Sequence, residues 1–255
     1  MIRLDKYLAD MGVGTRSEVK QYLRKGQVTV DGIIEKCPER KIDENTAQVF
    51  FQGKPVAYAE YEYYMFHKPA GCVTATQDTR QKTVMDYLNS TKRKDLFPVG
   101  RLDIDTEGLL LITNDGPLCH QLLSPAKHVP KTYYARIEGI VTEADVVCFS
   151  RGVDIGSDEK PAVGALEIQT SDEISEILLT ITEGRFHQVK RMFEAVDKRV
   201  LYLKRLAMGP LRLDETLKPG EYRALTAAEI ERLAAVTDIG EATDRKPANK
   251  KSSTF

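Results

Sequence analysis

Leu4, Leu8 and Met11 recur at the spacing of one helix face, and Gly12 and Gly14 close that helix. A second helix is predicted through Val19, Tyr22 and Leu23, capped by Thr15 or Ser17 and ended at Gly26. The pattern then switches to alternation. In QVTVDGIIE, Val28 and Val30 point to one side, and Asp31-Gly32 is the signal of a type I′ hairpin turn. Residues 49–64, VFFQGKPVAYAEYEYY, leave a last strand through Gly53-Lys54-Pro55 for a polar, Tyr-rich stretch. A boundary is expected near residue 59, making 1–59 a small module of two helices and a hairpin.

Beyond the boundary, YYMFHKPAGCVTAT reads as a strand that turns at Lys68-Pro69-Ala70-Gly71, and residues 82–96 read as a helix ending in TKRKDL. In FPVGRLDIDTEGLLLITNDG, Leu109 to Thr113 is a short apolar run between Gly108 and an Asn114-Asp115-Gly116 turn, so it predicts a buried strand entering a hairpin or loop. Gly100 to Glu107 must then be a loop against the core, carrying Arg101, Asp103, Asp105 and Glu107. As plain turn residues, Asp103 or Asp105 would accept backbone N–H bonds. That accounts less well for an arginine two residues before Asp103. Further on, KTYYARI alternates, with Tyr133 and Tyr134 on opposite faces. In GRFHQVKRMFEAVDKRVLYLKR, Val189, Met192, Phe193 and Val196 follow helical spacing, Lys190 sits beside that stripe and Arg191 faces outward. A strand, a turn and a helix capped by Thr226 end the second domain, 60–236. Residues 237–255 are polar without periodicity, which predicts a disordered tail.

At 255 residues and 42% hydrophobic, the chain is long enough to bury a sizeable core. A net charge of −1 argues against a uniformly basic nucleic-acid coat but permits local patches. Residues 1–32 carry an excess of about two positive charges and residues 184–205 an excess of about five. Cys37, Cys72, Cys119 and Cys148 form no C-x-x-C pair and no leader precedes them, so they are expected as reduced thiols in a cytoplasmic protein. His67, His120, His128 and His187 lack the spacing of a zinc site, and no metal is expected. No stretch approaches the roughly 18 apolar residues needed to span a bilayer.

The order of residues adds what charge does not. R-L-D-K-x-L at 3–8, T-R-S at 15–17 and G-x-V-x-V-D-G at 26–32 resemble the S4 RNA-binding module over nearly all of residues 2–48. That resemblance implies phosphate contacts from Arg3, Lys6, Arg16, Lys20 and Arg24, which position RNA without reading its sequence. G-R-L-D-x-x-T-x-G-L-L-L-x-T-N-D-G at 100–116 is similar to the central motif of the RsuA-type branch of pseudouridine synthases, which isomerise uridine in ribosomal RNA. H-K-P-A-G at 67–71, K-T-Y at 131–133 and E-G-R-F-H-Q-V-K-R-M-F at 183–193 stand in the family's order around it.

The resemblance implies an α+β architecture, with the S4-like module preceding a catalytic domain on a mixed, mainly antiparallel sheet flanked by helices. It implies Asp103 as the catalytic carboxylate, Lys190 as the cation paired with it, and Tyr133 against the uracil ring. Leu203 is implied as an apolar wall, Arg101 at the flipped nucleotide's phosphate or in support of its loop, and Arg185 as a further substrate contact. Lys68 and Arg191 join the RNA contacts, while His187 is expected to hydrogen-bond within its loop. No cofactor is required for a net isomerisation. The expected partner is ribosomal RNA, 16S before 23S, either naked or in an assembly intermediate, bound by a monomer in a salt-sensitive way. Two other readings compete: a non-catalytic RNA-binding or ribosome-assembly factor on the same scaffold, and a different RNA-directed enzyme using the module as a handle.

Overall fold

Caps and glycines set the first helices. Thr15 and Glu18 form a capping box, Glu18 N–H donating to Thr15 Oγ1 at 3.3 Å and Thr15 N–H to Glu18 Oε2 at 2.7 Å, which satisfies two of the donors that every helix start leaves open. The structure, a computed structural model, describes residues 1–89, 91, 93–156 and 160–243. The chain divides into two units, Met1–Glu62 with Leu88–Phe97, and Tyr63–Tyr87 with Pro98 onward.

In the first unit the order is β1 (Ile2–Arg3), α1 (Leu4–Asp10), α2 (Arg16–Arg24), β2 (Val28–Val30), β3 (Ile33–Ile34), β4 (Lys41–Ile42), β5 (Val49–Phe51) and β6 (Lys54–Pro55). Strands run β3-β2-β5-β6 in one sheet, and β1 pairs with β4. Asp31 and Gly32 have φ of 54° and 82°, both positive as a type I′ turn requires. Leu4 and Leu8 of α1, Val19 and Leu23 of α2 and Val28 and Val30 of β2 are fully buried in one cluster. At roughly 1.5–3 kcal/mol per buried aliphatic side chain, this cluster is what holds so small a module together. Residues 88–97 belong to this unit through Arg93, which is buried, forks onto Asp95 and donates to the Ala59 carbonyl at 3.1 Å. The sequence pattern predicts one crossing near residue 59 and a helix over 82–96. The chain instead crosses after residues 62, 87 and 97, and Val84–Tyr87 is a single 3₁₀ turn.

The second unit is built on a sheet ordered β11-β12-β10-β13-β9-β7-β15. Its strands are β7 (Tyr63–Lys68), β9 (Glu107–Thr113), β10 (Lys131–Glu138), β11 (Ala165–Thr170), β12 (Ile174–Ile181), β13 (Arg199–Met208) and β15 (Tyr222–Ala224), with β8 (Phe97–Pro98) on β9 and β14 (Leu211–Arg212) on β13. The β9–β13 pair is parallel and the other pairings between named strands of the path are antiparallel, so the sheet is mixed and mainly antiparallel, and the architecture is α+β. Helices α3 (Gly116–Leu123), α4 (Glu143–Arg151), α5 (Gln188–Glu194) and α6 (Ala227–Thr243) complete the unit.

Leu109, Leu110, Leu111 and Ile112 of β9 are all buried, as a central strand covered on both faces requires. After β9 the chain starts a helix rather than a hairpin. Asp115 caps α3, its Oδ1 accepting the Leu118 N–H at 3.0 Å, and Pro117 occupies the first turn. Thr226 caps α6 as expected, but α6 runs on to Thr243, through the first residues of the expected disordered tail; residues 244–255 lie outside the described residues.

Candidate active site

The loop between β8 and β9 is held in place by main-chain contacts that converge on it. Lys68, at the end of β7, is fully buried, and its ammonium donates to the carbonyls of Asp103 (2.9 Å), Thr106 (2.9 Å) and Pro69 (3.0 Å). Gly71 N–H donates to the Ile104 carbonyl at 2.7 Å, and Thr74 Oγ1 to the Leu102 carbonyl at 2.7 Å. The H-K-P-A-G turn therefore serves as a clamp. Burial pushes the Lys68 amine below its ordinary pKa, with nearby carboxylates opposing that shift. A cation sealed under carbonyls cannot reach RNA, so the expected phosphate contact of Lys68 is corrected to a role inside the fold.

Gly108 opens β9 where it runs beside β13. Its φ is +106°, and a Cβ there would stand 2.2 Å from the Arg205 carbonyl oxygen. Only glycine lets the loop enter the parallel pair at this separation.

Out of the clamped loop project Arg101, Asp103 and Asp105. Asp103 is 29% exposed; Lys190 Nζ on α5 lies 3.4 Å from its Oδ2, and His187 Nε2 lies 3.6 Å from its Oδ1. The tighter contacts of Lys190 go to Asp105, at 2.7 and 2.8 Å. One ammonium thus spans two carboxylates. Desolvation raises the Asp105 carboxyl, but the hydrogen bonds and charge of Lys190 outweigh it and leave the group below the usual carboxylate range. His187 has φ of 50°, and its ring stacks on Phe186 with centroids 3.8 Å apart. It faces Asp103 rather than closing a hydrogen bond within its own loop, which corrects the expectation for that residue.

Tyr133 on β10 and Leu203 on β13 are both buried and form the apolar side of a narrow recess of about 70 Å³ that includes Asp103 and Lys190. Beside it, and sharing Arg101, Asp103 and Tyr133, lies a cavity of about 820 Å³, within the size range of small-molecule sites. Among the described residues, no hydrogen bond ties down the Tyr133 hydroxyl or the exposed Arg101 guanidinium, and no group of three His, Cys, Asp or Glu side chains is placed to hold a metal. No helix among them is long and apolar enough to cross a membrane.

Residues 62–195 match the family model described as RNA pseudouridylate synthase, and residues 2–47 match the S4 domain. The chain belongs to the RNA pseudouridylate synthase family. It is 48% identical over 231 residues, 90% of this chain and 97% of the other, to a protein of Bacillus subtilis named as the uncharacterized RNA pseudouridine synthase YtzG. It is 40% identical over 229 residues, 90% and 98% of the two chains, to the ribosomal small subunit pseudouridine synthase A of Vibrio cholerae. A crystal structure titled pseudouridylate synthase superposes with a TM-score of 0.64 at 36% identity, covering 91% of this chain and 100% of that one.

In this pseudouridine synthase the expected residues do not all converge. Asp103, Tyr133, Lys190, Leu203, Arg101 and Arg185 line the recess. Arg185 is nevertheless bound to Glu183 at 3.0 and 3.1 Å and to the Lys160 carbonyl, and Arg191 donates to the carbonyls of Phe186 and Ile155. Both hold the turn before α5, so Arg191 is half-buried and tied to main-chain carbonyls rather than turned freely outward. In the S4 unit, Arg3 is engaged by Asp5 at 2.8 Å and Lys6 by Asp10 at 2.5 Å. Arg16, Lys20 and Arg24 share one face of α2 at four-residue spacing and have no hydrogen-bonding partner among the described residues. Sequence reasoning did not single out Asp105 as a partner of Lys190, nor Lys131 in the cavity wall. Alternation along β10 places Lys131, two residues before Tyr133, on the same face as that tyrosine.

Proposed function

We propose that this enzyme converts uridine to pseudouridine in small-subunit ribosomal RNA, with Asp103 as the catalytic carboxylate. The observation that carries the reading is the Asp103–Lys190 pair, 3.4 Å apart at a recess walled by Tyr133 and Leu203. The substrate assignment rests on relatives named ribosomal small subunit pseudouridine synthase A in Vibrio cholerae and in Escherichia coli, each 40% identical across nearly their whole length.

The reaction breaks the N1–C1′ bond, turns the uracil and joins C5 to C1′. The C5 proton leaves, N1 regains a proton, and no electrons are gained or lost. A carboxylate beside the ribose serves this in one of two ways, by attacking C1′ or by taking the C2′ proton. Either way it must be ionised in a cleft that excludes water. The Lys190 ammonium, shared with Asp105, supplies the compensating charge. Leu203 and the ring of Tyr133 give the base an apolar seat, and the free Tyr133 hydroxyl is available to the proton leaving C5. The target must leave its stack, at a cost of a few kcal/mol in a duplex. Phosphate contacts from the basic face of α2 and from Arg101 offset that cost.

The test is to map pseudouridines in the rRNA of cells with and without the gene. One position in 16S rRNA should revert to uridine in its absence. A change confined to 23S rRNA, or none in either, contradicts the assignment.

A further inference from the structure

Two cations in the wall of the larger cavity form no ion pair with a carboxylate among the described residues. Lys131 on β10 and Arg205 on β13 are 6% and 2% exposed, and both line the cavity that also holds Asp103 and Tyr133. The Lys131 ammonium has three donors, yet among the described residues it makes one hydrogen bond, to the Val129 carbonyl at 2.9 Å. Arg205 Nε donates to the Leu109 carbonyl at 2.8 Å, while its Nη2 is enclosed without a hydrogen-bond partner among the described residues. Neither residue forms an ion pair with any described residue. Of the two described acids that line this cavity, Glu183 is committed to Arg185 and Gln188, and Asp103 faces Lys190. Burial, and after it the charge of Arg205, push the Lys131 amine down to about 8.

Like charges placed side by side in a protein wall are unfavourable unless an anion comes to them. The position of the pair suggests which anion. Lys131 and Tyr133 are two residues apart on one strand face, about 7 Å along β10, a distance that a nucleotide spans between its base and its phosphate. We propose that Lys131 and Arg205 form a subsite for one phosphodiester of the RNA, the one adjoining the uridine presented to Asp103. This rests on the function proposed above and adds to it the group that fixes the nucleotide's backbone. Arg101, exposed at the same cavity, then serves the next contact outward.

The test uses the full-length protein and an RNA fragment containing the mapped uridine, with an uncharged methylphosphonate replacing the linkage on its 5′ or its 3′ side. With one of the two, kcat/KM of the parent should fall on the order of 10-fold. Lys131→Met should lose a similar factor on all-phosphate RNA, should lose little more when the neutral linkage is added, and should be rescued in part by Lys131→Arg. Losses that multiply, or an unimpaired Lys131→Met, overturn the subsite, since a merely structural lysine is not coupled to one linkage. A second readout needs no turnover. NMR titration of the Lys131 side chain should show its pKa raised by uridine 5′- or 3′-monophosphate and not by uridine. No shift with either nucleotide refutes the proposal, and an equal shift with inorganic phosphate refutes its assignment to RNA. A parent that modifies no RNA but shows the nucleotide-dependent shift would count against the reaction and not against the subsite.

Discussion

Replacing Lys68 with Met separates a lysine that touches RNA from one that holds the catalytic loop. Lys68 is fully buried and donates to three carbonyls within 3.0 Å, two of them, Asp103 and Thr106, in the loop itself. Bonds from a charged donor contribute about 1.5–3 kcal/mol each, so the gross interaction is roughly 4.5–9 kcal/mol. The desolvation that lowers the lysine's pKa opposes it. Methionine fills the space but leaves the carbonyls without a donor, and the net loss should be about 3 kcal/mol. Urea unfolding of Lys68→Met, extrapolated to water, measures that loss directly. The released loop should misplace Asp103 on the order of 1 Å, which costs about 100-fold in rate. Under single-turnover conditions with saturating RNA, the rate should fall by that factor while the RNA affinity and its salt dependence stay those of the parent. A variant within about 0.5 kcal/mol of the parent's stability, or one whose main defect is a shallower salt slope, refutes the clamp and returns Lys68 to the RNA-contacting residues.

Three other outcomes rest on the same geometry. Gly108→Ala should cost more than about 3 kcal/mol and yield little folded protein, because its Cβ would stand 2.2 Å from the Arg205 carbonyl at a φ of +106°; wild-type melting of this variant contradicts the close β9–β13 approach. Lys131→Met should be more stable than the parent at pH 7 by about 1–2 kcal/mol, the relief of a shift from 10.5 to about 8 less one lost hydrogen bond. Because the folded pKa lies below the unfolded one, the parent carries the full penalty below pH 8 and sheds it between pH 8 and 10.5, so the difference in urea stability should shrink across that window. Glu229→Gln should destabilise the parent by about 2 kcal/mol at pH 7, since Arg223 and Thr226 hold the Glu229 carboxyl down to about 2. That stabilisation is complete above the unfolded value of 4.5 and is lost as pH falls through 2, where the two proteins should unfold alike.

Much of this arrangement was legible in the residues themselves because its signals are local. The Thr15 cap, the Asp31-Gly32 turn, the buried run of β9 and the opposite faces of Tyr133 and Tyr134 depend on neighbours within a few positions. Lys190 was placed beside the apolar stripe of α5 by helical spacing alone, and the ordered motifs supplied its partner. The features that escaped are long-range. A lysine ending a strand reads as exposed, and only the closure of residues 103–106 around it reveals that Lys68 is sealed. The hold of Asp105 on Lys190 joins positions 85 apart through the path of one loop. The helix start at Asp115 looks like a turn because Asn-Asp-Gly serves both, and Pro117 tips the balance toward α3. Residues 82–96 show a helical pattern that the fold overrides, since Arg93 draws that segment to Asp95 and Ala59.

The central claim is that the carboxylate at position 103 performs the chemistry. Tritium release from small-subunit rRNA labelled at uridine C5 reports each isomerisation, and Asp103→Asn preserves the side chain's shape while removing its charge. The parent should release tritium, and Asp103→Asn should release it at least about 1,000-fold more slowly while binding the RNA as before. Equal release by the two proteins contradicts the account.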